Sequence, residues 1–140
     1  KLACLLHDVG KIAIDDGILN KADKLTDAEW KEMRRHSEIA YRILSSVNEY
    51  KEIAEMVLYH HERWDGKGYP RGLKGKEIPR MARIVSIVDA FDAMTSTRPY
   101  RKAMSEEEAA AEIVKNAGTQ FDPAIARVFV EKVLGRKWDI

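Results

Sequence analysis

Apolar residues recur along this chain at spacings of three and four, and nowhere do they sustain the alternation of a half-buried strand. The pattern predicts an all-α fold. The opening run Lys1-Leu2-Ala3-Cys4-Leu5-Leu6 reads as the last turns of a helix that begins upstream, so the chain is expected to be a piece of a longer protein. Residues 12 to 24 mix Asp15-Asp16-Gly17 and Asn20 with isolated apolar positions, which predicts a loop with room for a short helical turn. Thr26 and Glu29 then form a capping box, in which each side chain satisfies the other's free backbone N–H. It opens a helix predicted to run to about Ser46. Met33, Ala40, Ile43, Leu44 and Val47 make its apolar stripe. His36 falls on the same side and is expected to face inward.

A third helix is predicted from about Tyr50 to His61, with Ile53, Ala54, Val57 and Leu58 at core spacing and the pair His60-His61 near its end. Residues 62 to 79 hold four glycines and two prolines, too many breakers for a long regular element, and predict an ordered loop. Arg80 to about Ser96 is a strongly apolar helix interrupted by Asp89 and Asp92. Two more helices follow: one opened by the Ser105/Glu108 capping box and closed near Gly118, the other opened by Asp122-Pro123 and closed near Gly135. No repeat or linker divides the sequence, so residues 1–140 are expected to form a single domain.

Composition narrows the partners. The 24 basic and 23 acidic residues leave a formal charge of +1, so no global field recruits a nucleic acid polymer, and phosphate recognition must be local. A small phosphorylated ligand fits better. The lone cysteine, Cys4, sits in the apolar stretch LACLL and suits a reducing cytoplasm. No apolar run approaches the ~18–20 residues needed to span a bilayer.

The chemistry lies in the histidines. His7 precedes Asp8, His36 faces a core, and His60 adjoins His61. Imidazole nitrogen with carboxylate oxygen suits first-row transition metals, whereas all-oxygen sites suit magnesium or calcium. Asp8 has two oxygens and is the candidate to bridge two ions. Successive helical residues project about 100° apart, so His60 and His61 would reach different parts of a cluster. Asp89 interrupts an apolar run in which an unpaired charge would be costly, and a metal is an economical partner. Singly, each has a plainer role: His36 as a hydrogen-bonded histidine, Asp89 as a cap or arginine partner, His60-His61 as a complement to the helix dipole. Together they favour a metal site. Asp92 and Asp65 stay open between orienting a ligand or fixing a loop and playing no part in the site.

HDVGK at residues 7 to 11, RRHSEIA around His36, HHERWDGKGYP at 60 to 70, IVDAFDAMTSTRPYRKA, and GTQFDP at 118 to 123 together resemble the HD-GYP family, a branch of the HD-domain phosphohydrolases associated with degrading cyclic di-GMP. The resemblance implies an HD-domain helical bundle with an additional C-terminal helical GYP region. It implies two or three divalent transition metal ions, iron first and manganese second, held by His7, Asp8, His36, His60, His61 and Asp89. Asp8 and Lys11 would serve catalysis. Lys11, Arg98, Arg101, Tyr69 and Gly68 would bind substrate, Arg98 and Arg101 through planar forks suited to phosphate oxygens. Lys102 reads better as part of a charged surface turn. By the same resemblance the GYP loop is a docking surface for diguanylate cyclase domains, a sensory or receiver domain precedes the chain, and a further histidine lies upstream of its first residue.

The expected activity is hydrolysis of cyclic di-GMP by metal-activated water, giving pGpG and, on a second cut, GMP. No serine or cysteine has the neighbours of an activated nucleophile. Two rival readings stand beside it: a non-catalytic module that binds the nucleotide or a partner protein, and an HD phosphohydrolase for another nucleotide.

Overall fold

A computed structural model of the chain describes residues 2–97 and 102–138. The order is α1 (Leu2–Leu6), a 3₁₀ turn (Val9–Ala13), α2 (Asp16–Leu19), α3 (Asp27–Arg34), α4 (His36–Ser45), a 3₁₀ turn (Asn48–Tyr50), α5 (Lys51–Leu58), a 3₁₀ turn (Gly75–Glu77), α6 (Arg80–Thr95), α7 (Glu106–Lys115) and α8 (Pro123–Val128), which runs into a π-helical turn at Phe129–Val133. Among the described residues no strand forms; an isolated bridge joins Ala117 to Phe121. No helix among them is long and apolar enough to cross a membrane.

The caps read from sequence are in place. The Thr26/Glu29 and Ser105/Glu108 boxes are reciprocal, and Asp122 accepts from the N–H groups of Ala124 and Ile125 ahead of Pro123. Two helices differ from expectation. The segment from Thr26 to Ser46 is not continuous: it breaks at Arg35, between α3 and α4. The His36 ring bonds to the Met33 carbonyl at 2.7 Å and the Ser37 hydroxyl to the Arg34 carbonyl at 3.2 Å, so side chains take acceptors that an unbroken helix gives to backbone N–H groups. Likewise α5 stops at Leu58, and His60 and His61 lie in the turn beyond it rather than on the helix. A backbone freed from helical register can aim two adjacent side chains in ways a helix cannot.

Two apolar clusters hold the elements together. Ala40, Leu44, Ala54 and Val57 join α4 to α5, with Leu6, Val9 and Ile53 against them. Ile87, Ile113, Phe121, Ala126 and Val130 join α6, α7 and α8. Fully burying a Leu, Val, Ile or Phe side chain contributes roughly 1.5–3 kcal/mol, and an alanine less. Between the clusters, the loop after α5 is tied to the turn before α8: the Trp64 N–H bonds to the Gln120 carbonyl at 3.1 Å and the Asp65 N–H to that of Thr119 at 2.8 Å. Arg83 of α6 joins in, donating to the Ile78 carbonyl and pairing with buried Asp122.

Candidate metal centre

The first wall of the centre is the turn between α1 and the following 3₁₀ turn. His7 and Asp8 occupy it, and Gly10 lets it lie directly on α4. A Cβ on Gly10 would stand 1.9 Å from the His36 carbonyl oxygen and 2.7 Å from the Ala40 nitrogen, so no other residue fits without moving backbone. That contact brings His36, which is 2% exposed, beside the carboxylate of Asp8. Asp8 Oδ1 lies 3.9 Å from His36 Nε2 and its Oδ2 lies 3.5 Å from His7 Nε2. Lys11 donates to the same Oδ2 at 2.7 Å.

Three of the imidazoles are fixed the same way. The Nδ1 atoms of His7, His36 and His60 meet the carbonyl oxygens of Cys4, Met33 and Val57, each three residues earlier, at 2.7, 2.7 and 2.6 Å. A carbonyl oxygen can only accept, so each Nδ1 carries the hydrogen; His7 Nε2 is left bonded to the Asp89 carboxylate, and the Nε2 atoms of neutral His36 and His60 offer lone pairs to the interior. This is the outer hydrogen bonding that orients metal-binding histidines. The lone pairs converge. One cluster brings together ligand atoms of His36, His60 and His61 within 4.8 Å of one another, and a second does so for His7, Asp8 and His60. His36 Nε2 faces His61 Nε2 at 3.1 Å, and His7 Nε2 faces Asp89 Oδ1 at 3.0 Å.

Electrostatics keep most of this set in the ligating form. Burial drives the His60 imidazole down to about 4 and that of His61 to about 2, and it lowers His36 as well. His7 moves the other way, raised first by its hydrogen bond to Asp89. Burial alone would raise the Asp89 carboxyl, but the hydrogen bond and charge of His7, together with His60 and His61, hold Asp89 below its ordinary value. The donor set fits a divalent transition metal on a specific ground: His60 Nε2 is buried with no hydrogen-bond partner among the described residues. A buried polar atom without a partner is costly, and a cation would satisfy it.

The second wall is the glycine-rich loop. Gly68 backs onto the chain just after the histidine pair, where a Cβ would come within 2.4 Å of the Arg63 nitrogen and 2.6 Å of the His61 carbonyl oxygen. Tyr69 is thereby laid over His61, with ring centroids 4.8 Å apart and planes 25° apart. Burial raises the Tyr69 phenol, which stays protonated. Asp65 fixes the loop: it pairs with Arg63 at 2.8 Å and accepts from the Lys67 N–H at 3.0 Å. Asp92 lines a cleft of about 250 Å³ beside His7 and Asp89. Lys102 is exposed, and Arg98 and Arg101 lie outside the described residues.

Two side chains that sequence reasoning passed over bear on the site. Glu62, 3% exposed, accepts from the N–H groups of Arg71, Gly72 and Leu73 at 2.6, 3.1 and 3.0 Å and closes the loop. Arg34 lies 5.3 Å from the centroid of the Tyr69 ring. Neither has a local signal, because each acts on a segment far along the chain.

Comparison with known proteins agrees with this geometry. A family model described as HD domain matches residues 1–125. A cyclic di-GMP phosphodiesterase of Thermotoga maritima is 47% identical over 133 residues, covering 94% of this chain and 36% of the relative. A 3'3'-cGAMP-specific phosphodiesterase of Vibrio cholerae is 44% identical over 121 residues, covering 86% of this chain and 26% of the relative. The chain thus spans about a third or less of the length of these relatives. The crystal structure of a cyclic GMP-AMP specific phosphodiesterase of Vibrio cholerae superposes with a TM-score of 0.71 at 21% identity, over 96% of this chain and 37% of that one, and shares the helical fold. With the histidine pair and GYP string seated on that fold, the chain belongs to the HD domain family, in its HD-GYP branch.

Proposed function

We propose that His7, Asp8, His36, His60, His61 and Asp89 hold two or three divalent metal ions and that the domain, formed by residues 1–140, hydrolyses cyclic di-GMP, as the names of several relatives describe for those proteins. The observation that carries this reading is the convergence of inward imidazole lone pairs, one of them buried without a partner. Bound ions would supply a lowered pKa for water and positive charge for the phosphoryl oxygens. Iron is the first candidate and manganese the second.

The chain's own residues would do the rest. The two oxygens of Asp8 face His36 on one side and His7 on the other, which suits a bridging ligand. Lys11, held on Asp8, brings an ammonium to the edge of the centre, where a phosphodiester would carry its charge. Tyr69 covers His61 and keeps water from that side, and its neutral phenol remains a donor. Arg98 and Arg101 are proposed to hold phosphate, and Gly68 to seat the loop against substrate. The GYP loop would meet diguanylate cyclase domains, and a sensory or receiver domain would control the whole protein.

A second reading, hydrolysis of 3'3'-cGAMP, is favoured by the relatives named for that substrate. The test uses the intact protein, purified anaerobically with iron or manganese, with cyclic di-GMP and 3'3'-cGAMP supplied separately and products followed by chromatography. Conversion of cyclic di-GMP to pGpG, lost in Asp8→Asn, is expected. A fully metallated protein that binds cyclic di-GMP and never cleaves it would instead be a nucleotide sensor.

A further inference from the structure

Beside Tyr69, an open cleft of about 520 Å³ runs along α3 and the start of α4, bounded by Trp30, Arg34, Tyr69 and Pro70 among others. Trp30 is 46% exposed, so nearly half of a large flat side chain is left to solvent. The Arg34 guanidinium carbon lies 5.8 Å from the Trp30 ring centroid and 5.3 Å from that of Tyr69. Arg35, which also lines the cleft, pairs with Glu32 at 2.8 Å. The Arg34 guanidinium makes no hydrogen bond or ion pair with any described residue. It is a planar fork steered by two aromatic rings with its hydrogen-bonding edge unused.

We infer that this cleft is a guanine subsite, in which the base stacks on Trp30 and presents its O6/N7 edge to Arg34. An exposed indole is a stacking platform for any base. Selectivity comes from the arginine, because guanine offers two acceptors on that edge, whereas adenine offers N7 beside an amino donor that opposes the second N–H. The cleft adjoins the metal centre through one ring, since Tyr69 lies 5.3 Å from the Arg34 guanidinium and stacks on His61 with centroids 4.8 Å apart. A nucleotide whose phosphate is at the centre therefore has its base directed to this side. The assignment rests on the phosphodiesterase reading for which substrate arrives, and it distinguishes a guanine from an adenine at this position.

The test compares Trp30→Ala, Trp30→Phe and Arg34→Gln with the wild type, all as intact metal-loaded protein with folding checked by circular dichroism. With cyclic di-GMP, Trp30→Ala is expected to raise KM about tenfold with kcat changed less than about threefold, and Trp30→Phe to restore most of the loss. Arg34→Gln is expected to cut the binding preference for cyclic di-GMP over cyclic di-AMP about tenfold. A KM and preference within about twofold of wild type in both Trp30→Ala and Arg34→Gln would overturn the subsite while leaving hydrolysis intact. Should the wild type not turn over cyclic di-GMP, GMP itself is the probe. Tryptophan fluorescence quenched by GMP, and no longer quenched in Trp30→Phe, supports the subsite although the hydrolase reading has failed; no Trp30-dependent quenching overturns it.

Discussion

Removing the carboxylate of Glu62 offers the most direct measure of what holds the glycine-rich loop over the histidines. Its two oxygens accept three backbone N–H bonds, from Arg71, Gly72 and Leu73. Hydrogen bonds to a charged partner contribute about 1.5–3 kcal/mol each. The full sum does not apply, because Arg71 and Gly72 lie at the surface and water replaces part of what they lose. The expected cost of Glu62→Ala is therefore about 2–4 kcal/mol, which for a chain of this size lowers Tm by about 6–12 °C. Glu62→Gln keeps one carbonyl oxygen and should lose about half as much. Thermal melts give the total, and amide hydrogen exchange assigns it: the N–H groups of Arg71, Gly72 and Leu73 should exchange faster in the alanine variant while those of α6 stay protected. Because Tyr69 rides on the same loop, KM for the nucleotide should rise as well. A Glu62→Ala protein melting within about 2 °C of wild type, with those three amides still protected, would refute the argument.

Two further outcomes follow from the centre itself. Replacing His36 by alanine should lower metal content, read by elemental analysis, while circular dichroism remains that of the folded protein; unchanged metal content would remove His36 from the ligand set. For metal-free protein the stability profile with pH should be humped. His7 is raised, so its contribution is complete below the ordinary value of 6.5 and fades as pH climbs through the folded value. His36, His60 and His61 are lowered, so theirs is complete above 6.5 and is lost as pH falls toward their folded values. The loss approaches ~1.4 kcal/mol per pH unit for each buried histidine that must stay neutral. Urea melts of the chelated protein between about pH 5 and pH 8 measure it, and stability that rises steadily toward pH 5 would contradict these assignments.

Much of the architecture was legible because its signals are local. Thr26, Ser105 and Asp122 announce helix starts through residues two or three positions away, and the structure has all of them capped as read. The inward face of His36 followed from its spacing to Met33 and Ala40, and the ring is buried. The break at Arg35 was not visible, because the propensities of residues 26–46 are helical throughout and only the competition of His36 and Ser37 for carbonyls interrupts them. The sequence pattern puts the histidine pair at the end of a helix running to His61, whereas the helix stops three residues earlier and the pair belongs to the turn after it, which changes where both rings point. The six residues proposed as metal ligands do lie together, although their separation along the sequence gave no distances. Glu62 and Arg34 escaped notice for the opposite reason: nothing near them in sequence says that residues 71–73 or Tyr69 will come to meet them.

The contact at Gly10 has a mechanical side. Backbone resting on backbone has no rotamers with which to yield, so the turn bearing His7 and Asp8 and the helix bearing His36 must move as one stiff jaw. The opposing jaw is built differently. Beyond Tyr69 the loop is held at residues 71–73 by the Glu62 carboxylate, partly through amides close to water, a softer support. Any give between the two sides should therefore fall at residues 71–73, with the His7/Asp8/His36 face as the anvil.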